Sequence, residues 1–477
     1  MEYVAAIDIG TSRIKAALIG EDGLSAAVAS TRLDRAAEPG TQDAAVWVDE
    51  SFSLLARLIS EHPELQICAV APTGNMHAML PVDAAAKPLL PAWLWSNNLA
   101  EAESERLNRD WPDFFRDKAG NRCTPVFTLP KLVKFKREHA GLYAKTCKFL
   151  QSKDLVAAAL TGEFHTDVSD ASGVLAMELG FRRWSDDLLG GLGVDPGKLP
   201  DILESSQICG HVTPEAARRT GLAAGTPVAI GAGDLATAAL GGGVDGETLS
   251  LTLGTAGQLL GAGAPGEGRG LFGKLFVFAH ADPEKELYLA SVPAGGFVFE
   301  WFARNHNIAM DEFFRLAASA ELKVSSPVFM PYILGRGAPY MDYEPCGAWH
   351  GLSAAHGIGD LCLSAVFGTL SALRQGADLM TGLIGGRRKL TLQALACREL
   401  AVRRTACGLF RQGCKQLPRN EEASLLGAAM LGFVACGRFA TVGEAERAMF
   451  RADRLDSGPD AVCEVLFEKY LAHAGNL

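Results

Sequence analysis

The sequence has no long uncharged apolar segment, and this limits where the protein can reside. Nowhere do about 18 apolar residues follow one another without a charge, which is the length that a membrane-spanning helix needs. The first apolar run ends at Asp8 and is not preceded by basic residues, so it lacks the pattern of a secretory signal peptide. We therefore expect neither a membrane span nor a cleaved export signal.

Paired cysteine motifs are also missing. The 11 cysteines are scattered along the chain, with no C-x-x-C pair and no cysteine–histidine spacing typical of a zinc site. Scattered cysteines without such motifs are typically reduced, mostly buried thiols. The pattern predicts a cytoplasmic protein.

Basic residues are fewer than acidic ones. Among 477 residues there are 45 lysines and arginines against 55 aspartates and glutamates, which gives a formal net charge of −10. This balance disfavours a nucleic acid as a partner, because binding to a phosphate backbone depends on positive charge. The net negative charge does not exclude a small anionic ligand, since a local group of backbone N–H donors and a metal ion can outweigh the repulsion from distant charges. A chain of this length, 48% hydrophobic, can form two or more domains.

A polar turn between two apolar runs lies near the start of the chain. Residues 4–7 and, apart from Lys15, residues 14–19 are apolar, which predicts two buried strands joined by a tight hairpin. The turn between them contains Gly10, Thr11 and Ser12. Its glycine lets a bound group approach the backbone, and its two hydroxyl residues offer donors to an anion. Asp8 ends the first strand, where a carboxylate could hold a metal ion through water. The alternative is an ordinary hairpin with a solvated aspartate.

The same pattern recurs near the middle of the chain. Residues 248–260 again consist of strand, turn and strand, with Gly254 and Thr255 in the turn. One such hairpin is weak evidence of phosphate binding. Two of them, one near the start of each half of the chain, suggest a duplicated domain with phosphate held between the two copies. A run of glycines precedes the second copy, so we expect one domain over residues 1–245 and a second over residues 246–477.

A candidate general base lies between a predicted strand and a predicted helix. Residues 227–243 predict a strand, a glycine-rich turn and an alanine-rich helix that starts at Asp234. Aspartate is a favoured N-cap residue, which stabilises a helix by about 1 kcal/mol. The functional interpretation is a base at the mouth of a strand, where the glycines let a substrate hydroxyl approach. The two roles are compatible, because capping bonds would also fix the orientation of the carboxylate.

Two segments could contact a sugar. Met76 and His77 follow a short buried strand, and loops that leave such strands often contact ligands. A lone histidine, however, is more often a core or surface residue. Trp95 and Asn97 lie in a run with two tryptophans, and indole faces stack on sugars while amides pair with hydroxyls. Core aromatics followed by a turn are the alternative. Residues 161–173, rich in hydroxyls and carboxylates, are expected to form a surface loop.

Several motifs together resemble a known family. They are Asp8-Ile9-Gly10-Thr11-Ser12 with Lys15, Gly74-Asn75-Met76-His77, Phe127-Thr128-Leu129-Pro130-Lys131-Leu132, Thr161-Gly162-Glu163-Phe164 with Ser169-Asp170-Ala171-Ser172-Gly173, Gly233-Asp234, Leu253-Gly254-Thr255 and Leu426-Gly427-Ala428-Ala429. Each motif is weakly specific, but their order and spacing extend over nearly the whole chain. The chain resembles the FGGY carbohydrate kinases of the actin-like ATPase superfamily, and among these the xylulokinases most.

The resemblance implies a fold and a reaction. The fold is α/β, with two actin-like (ribonuclease H-like) domains that are each a mixed sheet flanked by helices, and with a cleft between them. The first domain would bind the sugar, and the second would bind ATP, with Mg²⁺ as the metal. The implied reaction is ATP-dependent phosphorylation of D-xylulose to D-xylulose 5-phosphate. The implied partners are small molecules, and a homodimer is common among such relatives.

The resemblance also implies roles for individual residues. Asp234 would accept the proton of the sugar hydroxyl, and Asp8 would lie near the magnesium ion and hold it through water. The implied substrate-binding residues are Met76, His77, Trp95, Asn97, Phe127 and Asp234. The implied nucleotide- and phosphate-binding residues are Gly10, Thr11, Ser12, Lys15, Gly254, Thr255, Gly296, Ala394 and Leu395.

Four positions depart from the family's pattern. Residues 95–99 read Trp-Ser-Asn-Asn-Leu, without the family's aspartate and arginine, and Leu235 replaces an asparagine. Residues 335–339 read Gly-Arg-Gly-Ala-Pro, and residues 393–396 read Gln-Ala-Leu-Ala in place of a triple-glycine turn near adenine. These changes leave open a kinase for another sugar, polyol or sugar acid, such as sedoheptulose or gluconate. They also leave open a sugar-binding regulator with the same fold.

Overall fold

The structure is a computed structural model that describes residues 1–33, 38–384, 389–410, 413–418, 422–455 and 460–475. In this part of the chain the strands are β1 (Glu2–Ile9), β2 (Arg13–Gly20), β3 (Ser25–Arg32), β4 (Thr41–Gln42), β5 (Gln66–Gly74), β6 (Leu80–Val82), β7 (Ala92–Trp93), β8 (Lys148–Leu150), β9 (His165–Asp167), β10 (Met177–Glu178), β11 (Arg183–Trp184), β12 (Asp201–Leu203), β13 (Ile208–His211), β14 (Pro227–Ala229), β15 (Ala232–Gly233), β16 (Thr248–Leu253), β17 (Gly257–Gly263), β18 (Phe276–Ala279), β19 (Glu286–Val292), β20 (Val328–Met330), β21 (Ala348–His350), β22 (Lys389–Gln393), β23 (Cys414–Gln416) and β24 (Asp453–Leu455).

The α-helices of the same residues lie between these strands and cover the sheets. They are α1 (Ala45–Glu61), α2 (Glu101–Asp110), α3 (Thr128–Glu138), α4 (Ala140–Lys145), α5 (Ser152–Thr161), α6 (Val168–Val174), α7 (Asp186–Gly191), α8 (Pro214–Thr220), α9 (Asp234–Gly241), α10 (Phe297–Asn305), α11 (Met310–Ser319), α12 (Ile358–Ile384), α13 (Leu400–Phe410), α14 (Ala423–Ala435), α15 (Val442–Met449) and α16 (Ala461–Ala474).

The first large sheet is built around β1. Its strand order is β13-β14-β5-β1-β2-β3, and β15 also pairs with β5. β1 runs antiparallel to β2 and parallel to β5, and the side chains of residues 4–9 are buried. Burial on both faces explains why this strand is continuously apolar up to Asp8. The predicted first hairpin is confirmed.

The second large sheet repeats this arrangement. Its order is β18-β19-β17-β16-β22-β23-β24, and β16 runs antiparallel to β17 and parallel to β22. The second predicted hairpin therefore occupies the same topological position as the first. Two mixed sheets flanked by helices confirm the predicted α/β fold.

Helix α14 comes from the second half of the chain but packs on the first sheet. It is apolar on all sides, as expected of a helix buried between layers. Its Gly432 contacts Val4 of β1 and Ala71 of β5, and its Gly427 contacts the backbone of Thr237 in α9. Along the chain, the strands of the first sheet precede residues 242–247 and those of the second sheet follow them. We propose that the first unit ends at residue 245. Helix α14 lies after this boundary in sequence but packs on the first unit.

One expectation about local structure is wrong. Residues 161–173 were expected to form a surface loop, but they include β9 and the buried helix α6. Asp167 caps α6, accepting hydrogen bonds from the backbone N–H groups of Ser169 and Asp170. The carboxylates that made the segment appear solvent-exposed are instead neutralised inside the protein, as described below.

Candidate active site

The first hairpin brings Asp8 and Lys15 side by side on β1 and β2. Their Cα atoms are partners in the antiparallel register, and Thr73 of β5 is the parallel partner of Asp8. The backbone N–H of Gly10 donates to the Arg13 carbonyl at 3.0 Å and closes the turn. A carboxylate and an ammonium group therefore lie at the end of a buried central strand.

One oxygen of the Asp8 carboxylate has no partner. Oδ2 accepts a hydrogen bond of 2.9 Å from the Ser424 hydroxyl, whereas Oδ1 is buried without a hydrogen bond. Burial raises the pKa of Asp8, and Lys15 and Ser424 lower it. A buried carboxylate oxygen without a donor fits a hydrated Mg²⁺ ion, which takes one or two carboxylates together with phosphates. Among the described residues, no group of three or more histidine, cysteine, aspartate or glutamate side chains is placed to hold a metal ion.

Asp234 is the first residue of α9 and is only partly exposed. The N-cap interpretation is wrong: Gly233 is the N-cap residue, and no side chain caps this helix. Burial and the negative charge of Asp8 raise the pKa of Asp234 to about 7, against an opposing hydrogen bond from the backbone N–H of Leu235. A carboxylate with this pKa can accept a proton near neutral pH.

Met76 lies against Gly233, the residue before Asp234, and His77 follows Met76 in the chain. A Cβ on Gly233 would come within 2.5 Å of the Met76 side chain, so only glycine fits beside it. The Nδ1 atom of His77 lies 2.9 Å from the Gly173 carbonyl, to which it donates. Burial lowers the pKa of His77 to about 4, so the ring is neutral and its Nε2 is a hydrogen-bond acceptor.

Aromatic rings from both halves of the chain surround His77. The ring of Phe127 lies 5.1 Å from the His77 ring, and that of Phe278, on β18 of the second sheet, lies 5.7 Å from it. The Phe127 and Phe278 side chains are buried. Phe127 was named from the sequence, but Phe278 was missed, because nothing local marks a strand residue that packs across to the other half.

A buried charge cluster, consisting of Lys153, Asp154, Asp167 and Asp170, supports the same region. The Lys153 ammonium lies 2.7, 3.0 and 3.3 Å from the three carboxylates in that order, and all four side chains are fully buried. Burial raises the pKa of Asp170 well above its usual range.

Two residues, Ser169 and Gly233, connect the charge cluster to Asp234. The Asp167 carboxylate accepts a hydrogen bond of 2.6 Å from the Ser169 hydroxyl, which in turn accepts one of 2.9 Å from the Gly233 N–H. Gly233 immediately precedes Asp234. The sequence does not reveal this support, because a run of acidic and hydroxyl residues is typical of a surface loop.

Trp95 and Asn97 occupy different environments. The Trp95 side chain is 45% exposed, and its indole N–H donates to the Thr11 hydroxyl at 3.1 Å. Trp95 therefore contacts the first hairpin. Asn97 is buried, and its Oδ1 accepts a hydrogen bond of 3.0 Å from the Leu99 N–H, so the amide holds its own loop.

The second hairpin presents exposed backbone at its turn. Gly254 and Thr255 are both exposed. The carbonyl of Gly254 accepts a hydrogen bond of 2.7 Å from the Gly296 N–H, and that of Thr255 accepts one of 2.9 Å from the Gly295 N–H. A Cβ on Gly295 would overlap the backbone of Gly257. The hairpin and the start of α10 therefore form one backbone unit.

Ala394 and Leu395 follow β22 in an exposed turn. Ala394 has a φ of 67°, the left-handed conformation that favours glycine, and the Leu395 side chain is 78% exposed. Gln393, just before them, donates to the Ala238 carbonyl of α9 at 3.2 Å. The turn thus keeps a glycine-like backbone although its residues carry side chains.

The structure groups the sequence-derived residues into separate sets. Asp8 is the register partner of Lys15, and its charge acts on Asp234. Met76 lies against Gly233, the residue before Asp234, and the ring of His77 contacts that of Phe127. Gly254, Thr255 and Gly296 form a second set. None of the helices that the structure describes is long and apolar enough to cross a membrane.

Comparison with known proteins gives a consistent result. Residues 3–241 match the model of the FGGY family of carbohydrate kinases, N-terminal domain, and residues 281–436 match that of the C-terminal domain. A xylulose kinase of Bacillus subtilis (strain 168) is 28% identical over 462 residues, which is 94% of this chain and 92% of that protein. A gluconokinase of the same strain is 25% identical over 463 residues, covering 91% and 88%. A crystal structure described as a xyloylose kinase from Brucella ovis is 27% identical, with a TM-score of 0.90 over 100% of this chain and 99% of that one.

Proposed function

Because this chain belongs to the FGGY family of carbohydrate kinases and is therefore an ATP-dependent sugar kinase, we propose that it converts D-xylulose to D-xylulose 5-phosphate. The observation that supports this proposal is Asp234, a partly exposed carboxylate with a pKa of about 7, directly after Gly233, which lies against Met76. The similarity to xylulose kinases over most of the chain supports the choice of sugar.

Asp234 is the base in this proposal. It aligns the attacking hydroxyl of the sugar and accepts its proton, a contribution of typically 10²–10⁴-fold to the rate. The hydrogen bond from the Leu235 N–H and the glycine before it hold the carboxylate at the start of α9. Phosphoryl transfer needs positioning and charge stabilisation more than covalent help, so a fixed base is what the chain must supply.

Met76, His77 and Phe127 form the proposed sugar wall. The neutral imidazole of His77 offers Nε2 as an acceptor for a sugar hydroxyl, while Gly173 fixes the ring. Trp95 and Asn97 are proposed at the edge of the same site, Asn97 through the loop that it holds.

The charges near this wall favour a neutral sugar over a sugar acid. Asp8 and Asp234 are carboxylates. The ammonium of Lys131 already donates to the carbonyls of His77 and Val126 at 2.8 and 2.7 Å, and burial lowers its pKa to about 7. The carboxylate of gluconate would meet like charge here, whereas the hydroxyls of a ketose would not.

The two hairpins are the proposed phosphate-binding elements. Gly10, Thr11, Ser12 and Lys15 would contact the transferred phosphoryl group, and Gly254, Thr255 and Gly296, with Ala394 and Leu395 nearby, would contact the nucleotide. Backbone N–H groups and the Lys15 ammonium are suited to phosphate oxygens. Asp8 would hold Mg²⁺ through water, and the ion would supply charge neutralisation on the phosphates.

The free thiols support a cytoplasmic location. None of the 11 cysteines forms a disulfide bond, as expected where thiols stay reduced.

A coupled assay of ADP release over a panel of sugars tests the proposal. We expect the highest kcat/KM with D-xylulose, and lower values with sedoheptulose, glycerol and gluconate. Asp234→Ala should abolish phosphorylation while sugar binding, measured by calorimetry, stays largely intact. Near-normal turnover of this variant would contradict the assignment of the base. Higher activity with gluconate would contradict the assignment of the sugar, and binding of sugar without any binding of ATP would indicate a regulator.

A further inference from the structure

The first turn of α14 carries a serine to the end of β1. The Ser424 hydroxyl donates to Oδ2 of Asp8 at 2.9 Å, although the two residues are separated by 416 positions in the chain. Ser424 is half-buried, and the Asp8 side chain is only 8% exposed. Within the described residues, this hydroxyl is the one hydrogen-bond donor to the Asp8 carboxylate, because Oδ1 has no partner.

The position of Ser424 is determined by close contact between two helices. A Cβ on Gly427 would overlap the carbonyl of Thr237, and a Cβ on Gly241 would overlap the carbonyl of Ala423. Helices α14 and α9 therefore cross with their backbones in contact. Since α9 begins at Asp234, the same crossing sets where Ser424 lies relative to both acidic residues.

A carboxylate with one bonded oxygen is restrained, whereas a carboxylate with none can rotate. The terminal torsion of aspartate is broad and roughly two-fold, so it does not fix the two oxygens by itself. Partners that hold a metal-binding side chain commonly change metal affinity or activity by about 10–100-fold when they are removed. The Ser424 hydrogen bond leaves Oδ1 as the oxygen of Asp8 that is free to accept from a cation-bound water.

We propose that Ser424 is a positioning residue that orients the Asp8 carboxylate for a hydrated divalent cation. This inference rests on the proposed function, in which Asp8 lies beside Mg²⁺. The second half of the chain thus contributes a side chain to the phosphate-binding hairpin of the first half. No sequence motif near Asp8 contains this serine.

The test compares Ser424→Ala with Ser424→Thr, which keeps the hydroxyl. The direct readout is binding of Mn²⁺ to the protein–ADP complex, measured by electron paramagnetic resonance of the free ion. Ser424→Ala should weaken Mn²⁺ binding and lower kcat by about 10-fold, the lower end of the range for such partners. The KM for the sugar and the midpoint of thermal unfolding should stay near those of the parent. Ser424→Thr should recover most of both losses.

A matched control separates this role from simple loss of a helix serine. Ser51 lies buried in α1, and its hydroxyl has no hydrogen-bond partner, so Ser51→Ala should change neither Mn²⁺ binding nor kcat. If Ser424 acts through Asp8, Ser424→Ala should have no further effect on Mn²⁺ binding in an Asp8→Asn background.

The outcomes distinguish this inference from the function on which it rests. Parent-like Mn²⁺ binding in Ser424→Ala, together with its loss in Asp8→Asn, would overturn the role of Ser424 alone. Parent-like Mn²⁺ binding in Asp8→Asn would overturn the proposed role of Asp8. Ser424→Ala could instead lower the unfolding midpoint, reduce activity equally for every substrate, and have an additive effect in the double variant with Asp8→Asn. That result would indicate a purely structural serine and would also overturn the inference.

Discussion

The negative charge of Asp8, at the end of β1, raises the pKa of Asp234, at the start of α9. The two carboxylates belong to different elements and are far apart in sequence, yet the charge of Asp8 alters the protonation of Asp234. Burial is the larger cause, and together the two effects bring the pKa of Asp234 to about 7. This relationship makes the activity and the stability of the protein depend on pH in opposite directions.

The first prediction concerns the pH dependence of activity. The base must be unprotonated, so kcat/KM should fall about tenfold per pH unit below pH 7 and level off above it, because kcat/KM reports groups of the free enzyme. The measurement is steady-state kinetics from about pH 5 to about pH 9 at saturating Mg²⁺. A flat profile across this range would mean that the base titrates at the ordinary value of an aspartate.

The second prediction concerns stability. Asp234 has a pKa of about 7 in the folded protein against an ordinary value of 3.8, so between these values the folded state binds more protons than the unfolded state. Stability is therefore lost as the pH rises through this window. Asp234→Asn removes the titration, and we expect it to unfold at a higher temperature than the parent at about pH 8 but at the same temperature near pH 4. Thermal unfolding at both values checks this, and an equal difference at both would contradict it.

The third prediction concerns the ion pair between Lys15 and Glu422, whose Nζ and Oε2 atoms lie 2.8 Å apart. The side chains are 27% and 47% exposed, so the pair contributes at most about 1 kcal/mol, and a phosphate can replace Glu422 at the ammonium. Glu422→Gln removes the competing charge and should tighten ATP binding by up to about 5-fold, measured by calorimetry.

Two variants serve as controls for this ion pair. Glu444→Gln, at an exposed position in the first turn of α15, should leave ATP binding unchanged. In a Lys15→Met background, Glu422→Gln should have no effect. Weaker ATP binding in Glu422→Gln alone would mean that the glutamate supports the nucleotide site instead of competing with it.

The fourth prediction concerns the crossing of α9 and α14. Gly427→Ala places a methyl group against the Thr237 carbonyl, and overpacking of this kind costs typically about 1–3 kcal/mol. This should exceed the roughly 1 kcal/mol that alanine gains over glycine in a helix. Denaturant unfolding should show lower stability, with a loss of activity because Ser424 and Asp234 move apart. Gly246→Ala, with no atom within 4 Å of the added Cβ, should be neutral.

Much of the fold could be predicted from local sequence patterns. Both hairpins were predicted because runs rich in apolar residues on either side of a Gly-Thr turn identify buried strands, and the burial of β1 and β16 agrees with this. The helix beginning at Asp234 was predicted in the same way. The predicted N-cap was wrong by one residue, since backbone geometry at Gly233, and not side-chain preference, determines where α9 begins.

The surroundings of the site could not be predicted, because they depend on residues distant in sequence. Residues 161–173 contain enough hydroxyls and carboxylates to favour a solvated loop. Helix α6 is nevertheless buried, because Lys153 pairs with Asp170 in the helix and with Asp167, its N-cap residue. The contact between Phe278 and His77 could not be predicted either, because the two residues are distant in sequence and Phe278 lies on the other sheet.

The sequence by itself determined the two duplicated hairpins, the family and the chemical groups available: carboxylates, an ammonium and glycine-rich turns. These follow from short-range patterns of polarity and from backbone freedom at glycine. Only the tertiary structure decided which groups meet. The pKa of Asp234 depends on burial and on Asp8, and the orientation of Asp8 depends on Ser424, which reaches it through the crossing of α9 and α14. Electrostatic and hydrogen-bond effects act over a few ångströms in space, and distance along the chain does not predict them.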